Sequence, residues 1–529
     1  MNEEKSISNL NNKQKKLVFA GVLVTMLLSA MDTTIVGTIM PKVVAELNGF
    51  NIYSWVFSIY MLTIVLSLSI FGKFTDLYGR KYFYLVGLFI FVVGSSLCGI
   101  ANSMGALIVF RAIQGIGGGL LAGISPTIVG DIFSPAERPK YQGFLGGVYG
   151  LATIIGPIIG GLLTDLSSWR LSFFINIPIG IVAIFIIWKF LPNFKTRLGK
   201  KSVDILGIIL LLSIIIALLF TMSIAGDKYL WMSPQIVGAF VVIAVLLFIF
   251  IYWEKKSKEA ILPVQLFGNS IFNISTIAGV IMGLAMYAST LYIPLYIEGV
   301  LGYSVATTGA IMLPMTFVLV VANILSGILV SRSGRYKNIS AVSFALMAGG
   351  ALLLAVNISS GNLVIVIMAM SLLGAGMGIS FPTFMNIAQN AVPYEHLGVV
   401  SSSTQFFRNI GGIVGVSVLG SILNNIMWGD LQSKVQAATS AKVDVKSVIN
   451  IQALLNESRI GRLEAAMAKM GNLLPESIVK NFTVLLRSAL NNSLKMVFIV
   501  LAILCLAIFF LILISLKEIA LRNANKDEK

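Results

Sequence analysis

The chain has 529 residues, 57% of them hydrophobic and only 11% charged, with a mean hydropathy of +0.92. A soluble protein carries about 25% charged residues, so the composition excludes an ordinary soluble fold and points to a polytopic membrane protein. The net charge of +16 invites a nucleic-acid reading, which the placement of the charges removes.

Apolar runs of the length that a spanning helix needs, about 20 residues, recur at 17–40, 53–72, 82–101, 106–130, 141–163, 171–191, 203–222, 234–253, 271–297, 307–330, 338–357, 361–387, 399–424 and 494–516. These fourteen runs predict an all-α membrane protein with both termini on one side. The intervening segments on the N-terminal side hold 24 Lys and Arg, whereas the short loops on the other side hold 3, namely Lys42, Arg170 and Lys228. Basic residues accumulate on the cytoplasmic side, so both termini are expected there and the basic balance is one of topology. Lys5, Lys13, Lys15 and Lys16 precede a first run too long for a signal-peptide core, which reads as a retained first span. Cys98 and Cys505 lie in apolar runs and predict neither a disulfide framework nor a metal cluster. The segment 425–493 is expected outside. Val448, Ile451, Leu455, Ile460, Leu463, Met467 and Met470 recur there at near-helical spacing, and Leu474-Pro475-Glu476 resembles a helix start. An external pair of amphipathic helices and a loosely ordered loop both fit this pattern.

Two halves echo each other. Gly72-Lys73-Phe74-Thr75-Asp76-Leu77-Tyr78-Gly79-Arg80-Lys81, between runs two and three, matches the Gly and Arg spacing of Gly327 to Arg335, between runs ten and eleven. Gly115, Gly117 and Gly119 in run four are echoed by Gly374, Gly376 and Gly378 in run twelve. The pattern predicts two six-helix bundles plus two extra central transmembrane helices. Parallel repeats around a midplane site are the architecture of alternating-access transporters. The expected divisions are an N-terminal segment 1–16, a first bundle 17–191, an insertion 192–270, a second bundle 271–516 that includes 425–493, and a tail 517–529.

Asp32 stands inside the first run. A carboxylate at that depth costs roughly 2.5–3.5 kcal/mol even on lenient insertion scales. Such acids handle protons, ions or charged substrates, or else are satisfied structurally by a neighbouring helix. Arg111 in run four, one turn before Gln114, needs a partner, and Asp32 is the natural candidate; snorkelling to the outer surface is the alternative. Between runs two and three, Asp76 can pair with Arg80 or meet a helix N-terminus, which suits an inner gate with Gly72 and Gly79. In run five, Gly146, Gly147, Gly150, Gly156-Pro157 and Gly160-Gly161 combine close approach with a kink.

Together these residues resemble the major facilitator superfamily over nearly the whole chain. GKFTDLYGRK resembles the family's loop 2–3 signature, RAIQGIG its span-four signature and GLATIIGPIIGG its antiporter signature. MDTTIVGTIMP and WRLSFFINIPIG, with the two extra spans, resemble the fourteen-span drug:proton antiporter subfamily. The resemblance implies a major facilitator fold and export of amphipathic, expectedly cationic drugs in exchange for protons across a bacterial plasma membrane. It places Asp32 and Arg111 in proton coupling, and Asp76, Arg80 and Asp131 in a cytoplasmic charge relay. The second half departs from this pattern: Ser331 replaces the loop acid, and Met370 and Leu373 stand where Arg111 and Gln114 would repeat. Any proton relay is thereby confined to the first half.

Trp55, Tyr60, Tyr287, Tyr292 and Tyr296 are candidates for an aromatic cavity, although interfacial belts use the same residues. Glu298 can attract cations at the outer end of run nine. Arg408 is a second intramembrane arginine with no evident partner, and His396 reads as solvated. The expected partners are protons, small amphipathic substrates and membrane lipids, with no nucleic acid, no obligate protein partner and no cofactor. An intramembrane enzyme would need a constellation the sequence lacks, and a proton-coupled nutrient or lipid transporter is the alternative on the same fold.

Overall fold

The computed structural model describes residues 11–47, 52, 54–192, 204–225, 229–257, 260, 262, 264–303, 305–393, 396–439 and 476–518. A chain crossing a bilayer has no water to satisfy its peptide groups and must bond them internally. The described residues are accordingly almost all helical, the one β-bridge among them joining Ala225 and Tyr229. The first bundle comprises α1 (Asn12–Leu47), α2 (Ser54–Tyr78), α3 (Arg80–Gly99), α4 (Met104–Ile132), α5 (Arg138–Leu166) and α6 (Asn176–Phe190), the last entered through a single helical turn, Leu171–Phe174. Then come the inserted α7 (Ile205–Ile224) and α8 (Pro234–Lys256). The second bundle follows as α9 (Ser270–Gly299), α10 (Val305–Ser333), α11 (Lys337–Asn357), α12 (Leu363–Asn390), α13 (Leu397–Thr439) and α14 (Glu476–Ser515). Among the described residues, fourteen helices are long and apolar enough to cross a membrane.

The internal repeat is visible in how glycines pack. Water-driven burial does not hold helices together in lipid, so small residues that admit close backbone approach carry the packing. A Cβ at Gly115 or Gly119 would lie 2.7 or 2.6 Å from backbone of α2, and one at Gly117 would lie 2.5 Å from Phe91 of α3. In the second half, Gly374 and Gly378 meet α10 at 2.4 Å and Gly376 meets α11 at 2.4 Å. Each triplet thus alternates between the same two neighbours. The following turn repeats as well: Gly79 and Gly334 both take positive φ, 98° and 64°, where a side chain is strained.

The bundles meet in the half that carries the α2–α3 turn. A Cβ on Gly72 would lie 2.7 Å from the Ser402 Cβ of α13, and one on Gly143 of α5 would lie 2.6 Å from the Asn323 carbonyl oxygen of α10. Gln389 of α12 donates to the Pro126 carbonyl at 3.2 Å, Gln405 of α13 donates to the Ala122 carbonyl, and Ser331 of α10 donates to the Ala136 carbonyl at 2.6 Å. The site occupied by Asp76 in one repeat and Ser331 in the other therefore binds across to the opposite bundle both times.

The inserted helices pack on the outside. Leu211, Ile214, Ile215, Ile243 and Phe250 form a shared cluster with Tyr60, Ile64, Val65 and Leu68 of α2, while Val241, Val245 and Phe248 of α8 are exposed, the face a bilayer would cover. The segment 425–493, expected outside, differs from its expected bounds. Asn424, Asn425 and Asp430 mark the end of the apolar run, yet α13 continues to Thr439 and α14 is already helical at Glu476. A helix that leaves the bilayer keeps its own backbone bonds and has no need to stop there. The two arms are clasped by Asp430, which accepts from Lys434 Nζ at 2.6 Å and Asn492 Nδ2 at 3.0 Å. The expected amphipathic stretch, Val448 to Met470, lies outside the described residues.

Candidate functional site

Asp32 lies on α1, and Arg111 and Gln114 lie one turn apart on the facing side of α4. All three are buried, at 1%, 0% and 0% exposure. Arg111 Nη1 donates to Asp32 Oδ2 at 2.5 Å, and Gln114 Nε2 donates to Oδ1 at 2.8 Å. Arg111 Nη1 also donates to Gln114 Oε1 at 2.8 Å, which fixes the amide orientation. The guanidinium lies 3.7 Å from the centroid of the Tyr60 ring, a cation–π contact that adds stabilisation in a dry site. Full burial removes the snorkelling alternative for Arg111.

Two further residues close the network. Asn176 Nδ2, at the first turn of α6, reaches Asp32 Oδ1 at 3.3 Å and Ser95 Oγ of α3 at 2.9 Å, and Ser95 Oγ donates to the Phe173 carbonyl at 2.9 Å. Helix α3 comes this close because Gly94 packs against Gln114, where a Cβ would lie 2.6 Å from its Cα. Sequence reasoning did not single out Ser95 or Asn176. The signal for Asn176 was present as an amide in an otherwise apolar motif; Ser95, a hydroxyl among small residues, gives none. Asp32 is thus held by three side chains from two neighbouring helices. Protonation would turn one accepting oxygen into a donor and leave Arg111 without its counter-charge, a change that α4 and α6 must absorb. The corresponding positions of the second bundle, Met370 and Leu373, are buried in an apolar core.

A second charged cluster sits where the bundles touch. Asp76 Oδ1 accepts from Arg80 Nη2 at 3.0 Å and from the Gly398 amide at 3.1 Å, while Oδ2 accepts from the Val399 amide at 3.0 Å. Arg80 Nε lies 2.7 Å from Asp131 Oδ2 at the end of α4. The carboxylate therefore caps the N-terminus of α13, where the helix dipole favours an anion, and ties it to the first bundle. Both alternatives for Asp76, the arginine pair and the helix terminus, are realised together. Gly156 packs on α1, a Cβ there falling 2.0 Å from Thr34 Oγ1, two residues from Asp32. Pro157 lies on an exposed face of α5.

Other expected site residues stand apart. Trp55 is 47% exposed at the start of α2, and Glu298 is partly exposed at the end of α9 in the other bundle. Tyr292 and Tyr296 are buried in the second core. His396 lines a cavity of about 390 Å³ with Lys73 and Glu254, between α2, α8 and the start of α13.

Residues 22–416 match the sequence model of the Major Facilitator Superfamily. The chain is 35% identical over 533 residues to the multidrug transporter protein MdtP of Bacillus subtilis, covering 98% of this chain and 96% of that one. It is 36% identical over 416 residues to multidrug resistance protein 3 of the same bacterium, covering 79% and 81%. Among solved structures, the human organic anion transporter MFSD10 superposes with a TM-score of 0.63 over 94% of this chain and 99% of that chain, at 14% identity; at that identity the likeness is one of fold alone.

Proposed function

The chain belongs to the Major Facilitator Superfamily, and on that premise we propose that it is a proton-coupled efflux antiporter of amphipathic compounds, working by alternating access in a bacterial plasma membrane with both termini in the cytoplasm. The names of its multidrug relatives support efflux, and the buried Asp32–Arg111–Gln114–Asn176 network carries the proposal of proton coupling. A sealed acid–arginine pair in a membrane bundle is costly to keep, and its one titratable acid gives it something to do. Facing out, Asp32 takes up a proton, the pair with Arg111 breaks, and α1 and α4 are free to adjust. Facing in, the proton leaves and the pair re-forms.

The resemblance implies cationic substrates, which an acid open to the substrate would suit. Both oxygens of Asp32 are engaged by side chains of its own bundle, which suits a proton better than a drug.

Asp32→Asn tests the proposal, since it keeps the shape and removes the titration. The variant is expected to reach the membrane in wild-type amount and to lose efflux driven by a pH gradient in vesicles, with Asp32→Glu retaining part of it. If the Asn variant couples as the wild type does, Asp32 is structural and the proton travels elsewhere.

A further inference from the structure

Arg408 is the one charged residue that the two networks above do not absorb within the described part of α13's membrane-spanning first half. It lies eleven residues into α13, about 16 Å from the start of the helix at 1.5 Å per residue, and so well inside the apolar run. None of the ion pairs among the described residues involves it. Its guanidinium makes one side-chain hydrogen bond, from Nη2 to Gln405 Oε1 at 3.1 Å, and lies 4.5 Å from the centroid of the Phe381 ring of α12. Tyr149 of α5 and Tyr287 of α9 are close enough to interact with it electrostatically. Tyr287 in turn reaches Met61 of α2 across the bundle boundary, its hydroxyl 3.8 Å from the sulfur.

These residues come from both bundles, and all differ from the Asp32 network in one respect. Arg408, Tyr149, Tyr287 and Phe381 are each partly exposed, whereas Asp32 and Arg111 are sealed. The group therefore lies at the seam between the bundles, where Tyr287 meets Met61. Gln405, which accepts from Arg408, donates through its other amide atom to the Ala122 carbonyl across the bundles.

We propose that Arg408 is the substrate-charge selector at the seam between the bundles, binding amphipathic compounds that carry a carboxylate or a similar anionic group, with Tyr149, Tyr287 and Phe381 holding their apolar rings. A cation of this kind in a low-dielectric interior lacks a counter-charge until a ligand brings one. Arginine offers five donors in a planar fork matched to a carboxylate, and the described residues use one. The aromatic side chains supply flat apolar surface beside it. Binding would also draw Arg408 away from Gln405, and so bears on the contact that closes this half. The proposal rests on the efflux reading and names the substrate class of that transporter.

The test uses full-length purified protein in detergent and three fluorescent probes that share one aromatic body: dansylglycine, its neutral amide, and the cationic dansylcadaverine. Equilibrium titration is expected to show the carboxylate probe bound roughly tenfold more tightly than the amide, the difference a charge-assisted bidentate contact provides, with the cation weakest. Arg408→Gln should erase the carboxylate-over-amide preference, and Arg408→Lys should retain part of it. A wild-type protein that binds the cation as tightly as the carboxylate overturns the assignment. So does an Arg408→Gln variant, monodisperse and helical, that keeps the wild-type preference or weakens the two probes equally. Because the titration needs no gradient, a protein that shows the preference but moves no probe in energised vesicles refutes the transport reading and leaves the binding site standing.

Discussion

Asp76 holds two helices with one carboxylate: it pairs with Arg80 on its own helix and caps α13 of the opposite bundle through the Gly398 and Val399 amides. Hydrogen bonds to a charged group contribute about 1.5–3 kcal/mol. Asp76→Asn removes the charge and leaves Arg80 to Asp131 alone. Loss of about 2 kcal/mol from the closed arrangement shifts the balance toward opening on this side roughly thirtyfold. A thiol at Ser402, a position packed on Gly72 and 4% exposed, reports that opening. Ser402→Cys should react faster with a reagent added from this side when combined with Asp76→Asn; an unchanged rate would rule out the gate. Glycine has no substitute at Gly94 for a similar reason, since its missing side chain is what lets α3 bring Ser95 to Asn176. The residues legible in sequence here are those whose type is anomalous for their surroundings: Asp32 and Arg111 in apolar runs, Asp76 in a spaced repeat. The amides of Gly398 and Val399 were not legible, because every residue has a backbone N–H and only the fold says which ones are aimed at an acid. Trp55 and Glu298 drew notice by type alone and lie away from the network.

At the scale of elements, helix ends tie together the end opposite the α2–α3 turn. Glu46 near the end of α1 accepts from Arg170 Nη1 and, at 2.6 Å, from Trp169 Nε1, and Arg170 also donates to the Ala101 carbonyl at 3.1 Å beyond α3. The bond from Arg170, and then that from Trp169, holds the Glu46 carboxyl below the usual carboxylate range. A lowered folded value means the stabilisation is complete above the ordinary pKa of about 4.3 and is lost as the pH falls through the lowered one. The Glu46 side chain is 49% exposed, so solvent screening limits the contribution to about 1 kcal/mol or less. Thermal melts of wild type and Glu46→Gln should therefore differ slightly near pH 7, and the gap should close toward about pH 3. A gap that widened on acidification would mean that another group sets it. The boundaries of elements were legible where polarity and helix end coincide, as at the α2–α3 turn. They were not legible at α13, whose helix outruns the apolar stretch that announced it.

For the whole molecule, the repeat was legible because it rests on glycines at fixed spacing, and each spacing has a packing cause in both halves. What the sequence did not carry is the state. The contacts that Gln389, Gln405, Ser331 and Asp76 make across the bundles fall in the half of the α2–α3 turn, while Tyr287 meets Met61 nearer the opposite end. Alternating access requires that these contacts break in every cycle. A Cβ built on Gly123 of α4 lies 3.7 Å from the Ser402 Cβ of α13, a separation suited to a disulfide, whose Cβ atoms stand about 3.5–4.5 Å apart. Gly123→Cys with Ser402→Cys should therefore cross-link the two bundles under mild oxidation. The native Cys98 lies on α3 and Cys505 on α14, so neither belongs to the α4–α13 contact that the new pair bridges. The reduced double variant should transport, the oxidised one should stop, and a reductant should restore it. Transport by the cross-linked protein at the reduced protein's rate would show that this contact stays closed through the cycle, and the substrate would then have to leave the inner side by a path that does not separate α4 from α13.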